Sequence, residues 1–354
     1  MDSLKQHPVC KVDRIVCEDI INILKNVNID LKEAFSGRRF LISGGAGFIG
    51  SWLVDILYAL GAENITIVDN LSTGSLNNIA HLLSTGKVKL IKKPVEKLTP
   101  LHGYDYVLHL AARPNPEDYV KRPVDALEVS SIGTYKMLEV ARVNDAIFLL
   151  TSTSEVYGHP KVVPTPESYW GYVNPVGLRS CYDEGKRFAE ALTMAYVRQY
   201  GVDARISRIF NTYGPRLDYN NPSYGRVVIR FVIQALSEKP LTIYGDGSQT
   251  RSFLYIADNI EAHVRLLFPR PELKGEIVNI GSPEEISIGK LAELIRRLTN
   301  SISKLVFLPP RPEDPPRRRP EISKAMKLLK WRPKTSLNEG LRKTIDWIRN
   351  KLLA

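Results

Sequence analysis

Two side chains near the middle of the chain have the chemistry and the spacing for proton transfer. Tyr182 and Lys186 form the pattern Tyr-x-x-x-Lys, which places both on one face of a helix. An ammonium group beside a phenol can lower the pKa of the phenol, so that the tyrosine exchanges a proton near neutral pH. Lowering that pKa from about 10 to about 7 requires about 4 kcal/mol. The pattern is common by itself, so its significance depends on the elements that position it.

A glycine-rich turn stands upstream, between a predicted strand at Phe40–Ser43 and a predicted helix at Ser51–Leu60. It reads Gly44-Gly-Ala-Gly47-Phe-Ile-Gly50, which is Gly-x-x-Gly-x-x-Gly. Glycines let the backbone approach a diphosphate, and the helix N-terminus favours the anion. Asp69 ends the second predicted strand; its carboxylate can accept both ribose hydroxyls of NAD and would repel the extra phosphate of NADP. The sequence therefore predicts an NAD site.

Strand and helix patterns alternate through the first 150 residues. Further short apolar runs at Ile65–Val68, Tyr106–Leu110 and Ile147–Leu150 predict buried strands, and Thr134–Val143 predicts a helix between the last two. Repeated strand–helix units of this length predict an α/β fold with a doubly wound parallel sheet of the Rossmann type.

The texture changes after about Asn211, where loops rich in Asn, Pro and Gly extend to Gly225. Later helices are predicted at Val228–Ser237, Ile288–Leu298, Ile322–Leu329 and Leu337–Lys351. Pro309–Pro320 predicts an extended, proline-stiffened segment that is either a linker or ordered over the body.

These patterns predict three parts of the chain. Residues 1–37 form an N-terminal helical extension, with a short helix over Val12–Leu24 that we interpret as a packing appendage. Residues 38–210 form the NAD-binding domain that carries the Tyr-Lys pair. Residues 211–354 form a smaller α/β domain that binds the substrate, with some segments returning to the first domain.

Composition excludes several classes of protein. The 354 residues include three scattered cysteines and six scattered histidines, which favour neither a disulfide framework nor a metal site. No apolar run reaches a membrane span and no signal peptide is evident, so we expect a cytoplasmic, metal-free protein. The net charge of +11 indicates either an anionic substrate or a basic surface without function. No nucleic-acid-binding signature is present.

Several strings, taken together with the glycine turn and Asp69, resemble the extended short-chain dehydrogenase/reductase family that acts on nucleotide sugars. The resemblance covers about residues 38–350 and, within that family, the chain is most similar to the UDP-glucuronate decarboxylases. The strings are Thr151-Ser-Thr-Ser-Glu-Val-Tyr-Gly158, Tyr169-Trp-Gly-Tyr-Val-Asn-Pro175, Arg179-Ser-Cys-Tyr-Asp-Glu-Gly-Lys-Arg187, Arg208-Ile-Phe-Asn-Thr-Tyr-Gly-Pro215, Gly225-Arg-Val-Val228, Tyr244-Gly-Asp-Gly-Ser-Gln-Thr-Arg251 and Asp314-Pro-Pro-Arg-Arg-Arg-Pro-Glu321.

The resemblance implies a reaction and a set of catalytic residues. NAD-dependent oxidation at carbon 4 of UDP-glucuronate, loss of carbon dioxide and reduction would give UDP-xylose and regenerate NAD. Tyr182 would be the general base, assisted by Lys186, and Thr153 would hydrogen-bond to the same sugar oxygen. Glu155 would orient the sugar or a proton-donating water. Arg318 would meet the sugar end, where it would assist either the positioning of the carboxylate or the delivery of a proton.

The resemblance also implies which residues bind the two nucleotides. A homodimer is implied too, because the Tyr182 helix and the one near Thr134 resemble a four-helix dimer interface. The expected substrate-binding residues are Asn211, Arg226, Tyr244, Gln249 and Arg251. Besides Tyr182 and Lys186, the expected cofactor-binding residues are Gly44, Gly47, Phe48, Ile49, Gly50, Asp69, Asn70, Ser72, Thr73, Gly74, Leu110, Ala112 and Thr212.

Alternatives remain at this point. Thr153-Ser154-Glu155 differs from the Thr-Asp-Glu of dTDP-glucose 4,6-dehydratases, but a 4-epimerase or another 4,6-dehydratase of the same family stays possible. A non-catalytic NAD-sensing or scaffolding protein would be expected to lack the intact Tyr182–Lys186 pair. Ala112-Arg-Pro-Asn-Pro116 replaces the family's Ser-Pro-Ala-Ser-Pro, and Arg113 there could replace a substrate contact. Trp170 could be a pocket wall or a core residue.

Overall fold

The centre of the molecule is a seven-stranded, wholly parallel sheet, as the alternating pattern predicts. The computed structural model describes residues 6–27, 29–219, 226–311 and 313–353. In the order in which they lie side by side, the strands are β11-β6-β5-β4-β1-β2-β3. The chain therefore adds strands first on one side of β1 and, from β4 onward, on its other side. The strands are β1 (Arg39–Ser43), β2 (Asn64–Val68), β3 (Val88–Ile91), β4 (Tyr106–His109), β5 (Ile147–Thr153), β6 (Ala204–Ile209) and β11 (Ile277–Ile280).

Both faces of this sheet are buried, because successive side chains of each strand enter different cores. In β1, Phe40 and Ile42 belong to one hydrophobic core, whereas Leu41 belongs to the other. In β5, Leu149 faces the first core and Phe148 the second. Strands buried on both sides read as continuous apolar runs, which is why the sequence shows them clearly.

Helices cover the two faces and extend into the C-terminal part. Most predicted helices are confirmed, with shifted ends; the helix after the glycine turn begins at Phe48 rather than Ser51. The helices are α1 (Arg14–Asn26), α2 (Ile29–Phe35), α3 (Phe48–Ala59), α4 (Ala80–Leu83), α5 (Pro116–Lys121), α6 (Pro123–Ser130), α7 (Ile132–Val143), α8 (Ser180–Tyr200), α9 (Val227–Leu236), α10 (Ile256–Leu266), α11 (Ile288–Thr299), α12 (Ser323–Leu329) and α13 (Leu337–Leu353).

Smaller sheets lie in the C-terminal part, and one of them fixes the proline-rich segment. Arg317 and Arg318 pair in parallel with Thr250 and Arg251, so the described part of Pro309–Pro320 is ordered over the body rather than a free linker. Residues 220–225 of the predicted loop, and Gly225 of the family string, lie outside the described residues. The remaining strands are β7 (Thr212–Tyr213), β8 (Leu241–Tyr244), β9 (Thr250–Arg251), β10 (Leu254–Tyr255), β12 (Ile286–Ser287), β13 (Leu305–Leu308) and β14 (Arg317–Arg318).

The N-terminal extension forms the predicted helix and packs on both halves of the molecule. Helix α1 runs over Arg14–Asn26 instead of Val12–Leu24, because Asp13 caps its N-terminus. Asp13 also accepts a hydrogen bond from the indole of Trp347 at 2.7 Å. Asp19 accepts from the Tyr255 hydroxyl at 2.6 Å and from the Lys343 ammonium at 2.7 Å.

A disulfide joins Cys10 to Cys17 in this extension. The sequence favoured no disulfide framework, and it did not indicate this single bond. Cys10 lies in a short helical turn at Pro8–Lys11, which brings its sulfur atom to that of Cys17 in the first turn of α1. Disulfides persist mainly in oxidising compartments, so this bond gives no support to the cytoplasmic prediction.

No helix in the described part of the chain is both long enough and apolar enough to cross a bilayer.

Candidate active site

One cavity of about 1460 Å³ opens at the edge of the sheet where the parallel strands end. Ligand pockets of drug-sized molecules are typically about 300–1,000 Å³, so this cavity can hold two nucleotides side by side. All the site residues predicted from the sequence line it. They converge because the carboxyl ends of β1, β2, β4, β5 and β6 meet at a single edge.

The glycine turn offers bare backbone to the cavity. Gly44 has φ +72°, and a Cβ there would lie 2.6 Å from the backbone nitrogen of Ala111. A Cβ on Gly50 would lie 2.1 Å from the carbonyl oxygen of Gly44. Gly47 forms the N-terminal cap position of α3 without a side chain that would fill the space. This cradle fits a diphosphate, which is bound through amide groups and the helix N-terminus.

Asp69 lies against this turn, as the spacing predicts. One carboxylate oxygen accepts the amide of Leu71 at 2.8 Å and the other accepts the amide of Ala46 at 3.0 Å. Burial raises the pKa of Asp69, although both amide hydrogen bonds oppose the shift. The carboxylate is therefore held at the end of β2, where a ribose beside the diphosphate would meet it.

Tyr182 and Lys186 lie on α8 and are both buried. The Lys186 ammonium donates to the carbonyl oxygen of Thr151 at 2.8 Å, which ties the helix to the end of β5. The Thr153 hydroxyl hydrogen-bonds to the Tyr182 phenol. The ring of Tyr119, which the sequence did not single out, stacks on Tyr182 with centroids 5.4 Å apart. The phenol is thus fixed in position at the cavity wall.

The protein alone does not lower the pKa of Tyr182, contrary to the expectation from the Tyr-x-x-x-Lys pattern. Burial and the charge of Glu155 raise that pKa to about 12, against the opposing effects of Arg226 and Thr153. Burial also lowers the pKa of Lys186 to about 8. The reason for the difference is desolvation, which spacing along a helix does not reveal.

A cluster of charges surrounds Glu155 beside Tyr182. Arg179 donates to one of its carboxylate oxygens and Arg318 to the other. Burial alone would raise the pKa of Glu155, but these arginines and the nearby Arg251 lower it well below its usual value. Arg179 was missed from the sequence, although it stands one helical turn before Tyr182.

Asp314 holds Arg251 next to this cluster. Its carboxylate accepts from Arg251 at 2.6 Å. Arg251 and Arg318 are brought together because β9 and β14 pair directly. Two residues that are 67 positions apart in the sequence therefore share a wall of the cavity.

Three predicted substrate residues are positioned by backbone carbonyl groups. Asn211 donates its amide to Ser252 at 3.0 Å, and Gln249 donates to the carbonyl oxygen of Tyr244 at 2.5 Å. Arg226 donates to the carbonyl oxygen of Thr212 at 3.1 Å.

Arg226 also lies near the cofactor loop, with its guanidinium 6.0 Å from the centroid of the Phe48 ring. Its charge acts on the Tyr182 phenol. The structure therefore places this arginine between the glycine turn and the proton-transfer residue, whereas the sequence suggested only a contact with the substrate nucleotide.

Two arginines that sequence reasoning missed enclose Tyr244. The guanidinium of Arg230 lies 4.9 Å from the centroid of its ring, and that of Arg311 lies 4.2 Å away. Arg230 follows Arg226 by four residues, a helical spacing that could have indicated it. Arg311 is far away in sequence and carries no such signal. Together they add positive charge to a wall that fits an anionic nucleotide.

Residues from several of the motifs that carry the family resemblance form one hydrogen-bond network beside the cavity. Glu190 accepts from Arg208 at 2.7 Å and from the Ser152 hydroxyl at 2.5 Å. Arg208 also donates to the Tyr157 hydroxyl at 2.9 Å, which in turn donates to Asn279 at 2.7 Å. This network holds the end of β5, and hence Thr153, against β6.

Two further expectations are corrected or resolved. Trp170 is 90% exposed, so it is neither a pocket wall nor a core residue. It lies in an exposed loop before α8 that the sequence could not distinguish from a buried apolar segment.

Arg113 lines the cavity but pairs with Asp118 at 2.7 Å, close to Asp125 at 3.5 Å. Its charge is therefore balanced by carboxylates of α5 and α6, which follow it directly in the sequence.

Comparison with known proteins gives three concordant results. The family model described as GDP-mannose 4,6 dehydratase matches residues 41–344. UDP-glucuronic acid decarboxylase 1 of Danio rerio is 42% identical, over 99% of this chain and 85% of that protein. The solved structure of an epimerase, Mth375, from Methanothermobacter thermautotrophicus superposes with a TM-score of 0.83 at 29% identity, over 92% of this chain and 96% of that one.

A structure with bound ligands is also similar. UDP-glucuronic acid 4-epimerase from Bacillus cereus, solved in complex with UDP-glucuronic acid and NAD, superposes with a TM-score of 0.79 at 29% identity. The match covers 88% of this chain and 99% of that one. The cavity therefore belongs to a fold whose solved relatives include one that holds a nucleotide sugar beside NAD.

Proposed function

The chain belongs to the UDP-glucuronic acid decarboxylases within the extended short-chain dehydrogenase/reductase family, and we propose that it converts UDP-glucuronate to UDP-xylose and carbon dioxide. The observation that carries the proposal is one cavity in which Tyr182, Thr153 and Glu155 lie next to a diphosphate-binding turn. The arginines around Glu155 supply the charge that a carboxylated sugar requires.

NAD is the proposed cofactor, and the residues present fit it. The backbone of Gly44–Gly50 would hold its diphosphate and Asp69 its ribose. The other proposed contacts line the same cavity. They are Asn70, Ser72, Thr73, Gly74, Leu110, Ala112, Lys186 and Thr212.

A sugar carboxylate leaves easily only when a carbonyl group stands β to it. Bound NAD would supply this condition by oxidising the 4-hydroxyl to a ketone, and it would return the electrons once carbon dioxide has left. Breaking the bond between carbons 5 and 6 moves its electron pair toward the ketone oxygen as an enolate. Carbon 5 then takes up one proton.

Tyr182 would accept the proton of the 4-hydroxyl and give it back in the last step. In the protein alone its pKa is about 12, so ionisation must be favoured by the ligands or by the ordering of Lys186 toward the phenol. The Thr153 hydroxyl hydrogen-bonds to the phenol in the protein alone. With substrate bound, it would donate its one hydrogen to the enolate oxygen as charge develops there. Glu155 would orient the sugar ring through the arginines that it holds.

Arginines are suited to the UDP part of the substrate, because a guanidinium donates two parallel hydrogen bonds to a phosphate. Arg251 and the two arginines around Tyr244 line the cavity. The tyrosine ring and Gln249 would complete the nucleotide pocket. Asn211, at the end of β6, would lie between the two nucleotides.

Incubation of the purified protein with NAD and UDP-glucuronate tests this function. We expect release of carbon dioxide and formation of UDP-xylose, measured by gas capture and by the mass of the product. A 4-epimer of UDP-glucuronate without gas would instead establish the epimerase alternative, which the likeness to the Bacillus cereus enzyme favours. Unchanged substrate would reject both activities.

We also propose a homodimer, formed through α6, α7 and α8. These helices pack together, and their outer faces expose apolar side chains, including Leu127, Ile132, Tyr135 and Phe188. An exposed apolar face of this kind is typical of a protein interface. Sedimentation at micromolar concentration should show a dimer that the charge-introducing pair Leu127→Glu and Phe188→Glu converts to a monomer. A monomeric wild-type protein would contradict the proposal.

A further inference from the structure

The charges around Glu155 are not balanced pair by pair. Arg251 has its own partner in Asp314, at 2.6 Å. Arg179 and Arg318, in contrast, share the single carboxylate of Glu155, one on each oxygen. Two guanidinium groups thus divide one negative charge, and the wall keeps an excess of positive charge that faces the cavity.

A second carboxyl group, Asp183, approaches Arg179 without closing a hydrogen bond. Its Oδ2 lies 3.6 Å from Nε of Arg179, beyond hydrogen-bonding distance. Its Oδ1 is buried and has no hydrogen-bond partner among the described residues. Asp183 itself is not among the described residues that line the cavity. It therefore stands behind Arg179 as an incomplete ion pair.

The surroundings of Asp183 favour its neutral form. Burial and the neighbouring charge of Glu155 raise its pKa, against the opposing effects of Arg179 and Arg318. The other titratable groups that face it are Tyr119 on α5 and Cys181 and Tyr182 on α8. Burial raises the pKa of each of these three, so they stay neutral near pH 7.

We propose that Arg179 is a specificity-determining residue that pairs with the carboxylate of the substrate sugar. Asp183 is a positioning residue, which replaces the substrate carboxylate as the negative partner of Arg179 when that carboxylate is absent. The proposal rests on the function proposed above, because it assigns a contact to the group that the reaction removes. With the carboxylate bound, Asp183 stays protonated. Once carbon dioxide has left, Asp183 releases its proton to the solvent and pairs with Arg179.

This exchange makes binding depend on pH in a defined direction. Above its folded pKa, Asp183 is ionised and neutralises Arg179, so affinity for a carboxylated sugar falls as the pH rises. Below that pKa Asp183 is protonated, and Arg179 is free for the substrate. A sugar without a carboxyl group lacks the contact, so its affinity should not follow this titration.

Binding to protein loaded with NAD⁺ tests the pairing without turnover, if every variant also carries Tyr182→Phe. In that background, Arg179→Gln should weaken binding of UDP-glucuronate by about 10- to 100-fold, measured by calorimetry, because a charge-assisted contact is lost. Binding of UDP-xylose should change by less than about 3-fold. Arg179→Lys, which keeps the charge, should recover part of the loss.

Arg198→Gln is the matched control, because Arg198 is exposed on the same helix and lies outside the cavity lining. Neither ligand should bind more weakly to that variant. Equal weakening of both ligands by Arg179→Gln would overturn the assignment in favour of a general role in the fold or in phosphate binding. No weakening of either ligand would overturn it as well.

Asp183→Asn separates the positioning role from a purely structural one. In the Tyr182→Phe background, affinity for UDP-glucuronate should fall several-fold between about pH 6 and about pH 8 with Asp183 present, and stay flat in Asp183→Asn. Calorimetry in two buffers of different ionisation enthalpy should show proton uptake with Asp183 and none without it. The same titration in both proteins would overturn the role of Asp183.

These measurements stay informative if the proposed reaction is wrong. Gas release by the protein with Tyr182 intact reports the reaction, whereas the difference between UDP-glucuronate and UDP-xylose reports only the carboxylate contact. A protein that released no carbon dioxide but bound UDP-glucuronate through Arg179 would reject the reaction and keep the contact.

Discussion

The two walls of the cavity, which we assign to the cofactor and to the substrate, would recognise charge by different means. The cofactor wall is built from backbone: a tight glycine turn in which even a Cβ on Gly50 would lie 2.1 Å from a carbonyl oxygen. The substrate wall is built from side chains, with Arg179, Arg251 and Arg318 arranged around Glu155 and Asp314.

The difference follows from what each wall must distinguish. A diphosphate is the same in every dinucleotide, and fixed amide dipoles bind it at no cost in side-chain ordering. The sugar end must respond to one carboxyl group that is present before the reaction and absent after it. Charged side chains that share partners can change their ion pairs when the carboxyl group is lost, whereas a rigid backbone turn cannot.

Tyr182 is the point where both walls meet, and its loss should have the largest effect. Tyr182→Phe removes the proton-transfer group but keeps the stacked ring, so turnover should fall by about 100- to 10,000-fold while NAD still binds. Product formation and NAD titration measure the two properties. Tyr200→Phe, at the exposed end of the same helix, serves as control and should stay active. Near-normal turnover by Tyr182→Phe would remove Tyr182 from its role.

Adding a single methyl group to the glycine turn should impair both NAD binding and folding stability. Gly50→Ala should weaken NAD binding by about 30-fold or more, and overpacking should cost about 1–3 kcal/mol of folding stability. Titration with NAD and urea unfolding measure these changes. Gly289→Ala is the same substitution at a helical site where the nearest atom is 3.4 Å from the new Cβ.

The control should be neutral or stabilising by up to about 1 kcal/mol, because alanine favours helix over glycine. Unchanged NAD affinity in Gly50→Ala would show that the diphosphate is held elsewhere.

The side-chain wall should respond to the loss of one charge. Glu155→Gln leaves Arg179 and Arg318 without their shared carboxylate, so we expect a loss of about 3 kcal/mol in unfolding free energy at pH 7 and a fall in kcat. Urea unfolding and steady-state kinetics measure these effects. The exposed substitution Glu63→Gln is the control and should change neither quantity.

The difference in unfolding free energy between the wild type and Glu155→Gln should also depend on pH. Because the folded pKa of Glu155 is lowered, its carboxylate stabilises the fold fully above the ordinary pKa of a glutamate, and that contribution is lost as the pH falls toward the lowered value. Glu155→Gln and wild type should therefore converge in acid. An equal difference at pH 7 and about pH 3 would show that the effect is one of packing.

Salt should give the smallest effect and the most direct contrast between the walls. Raising NaCl from about 50 mM to about 500 mM should weaken UDP-glucuronate binding several-fold more than NAD binding, because UDP-glucuronate carries more negative charge and meets charged side chains, whereas the NAD diphosphate meets neutral backbone amides. Calorimetry in the Tyr182→Phe protein measures both affinities. Equal salt dependence would mean that the two walls do not differ in this way.

Much of the cofactor wall was predictable because its signals are local. A glycine turn between a strand and a helix, followed by an acidic residue at the next strand end, requires no knowledge of distant segments. The substrate wall was predictable only through the family resemblance, which indicated Arg251 and Arg318. Arg311 and the ion pair of Asp314 gave no signal, because their partners lie on other segments.

Three features near the site escaped prediction for related reasons. The Cys10–Cys17 bond depends on a helical turn that spacing alone did not indicate. The exposure of Trp170 depends on what packs over its loop, which composition does not state. The ion pair between Arg113 and Asp118 of α5 gave no signal in the sequence, which left open whether Arg113 replaces a substrate contact.

Local patterns in the amino-acid sequence specify the parallel sheet, the glycine turn, the position of Asp69 and the shared helix face of Tyr182 and Lys186. These features follow from backbone conformation and from periodicity, which act over a few residues. The folded arrangement, in contrast, sets which charges share Glu155 and how far burial raises the pKa of Tyr182. Charge pairing and desolvation depend on neighbours from distant segments, and folding alone brings those neighbours together.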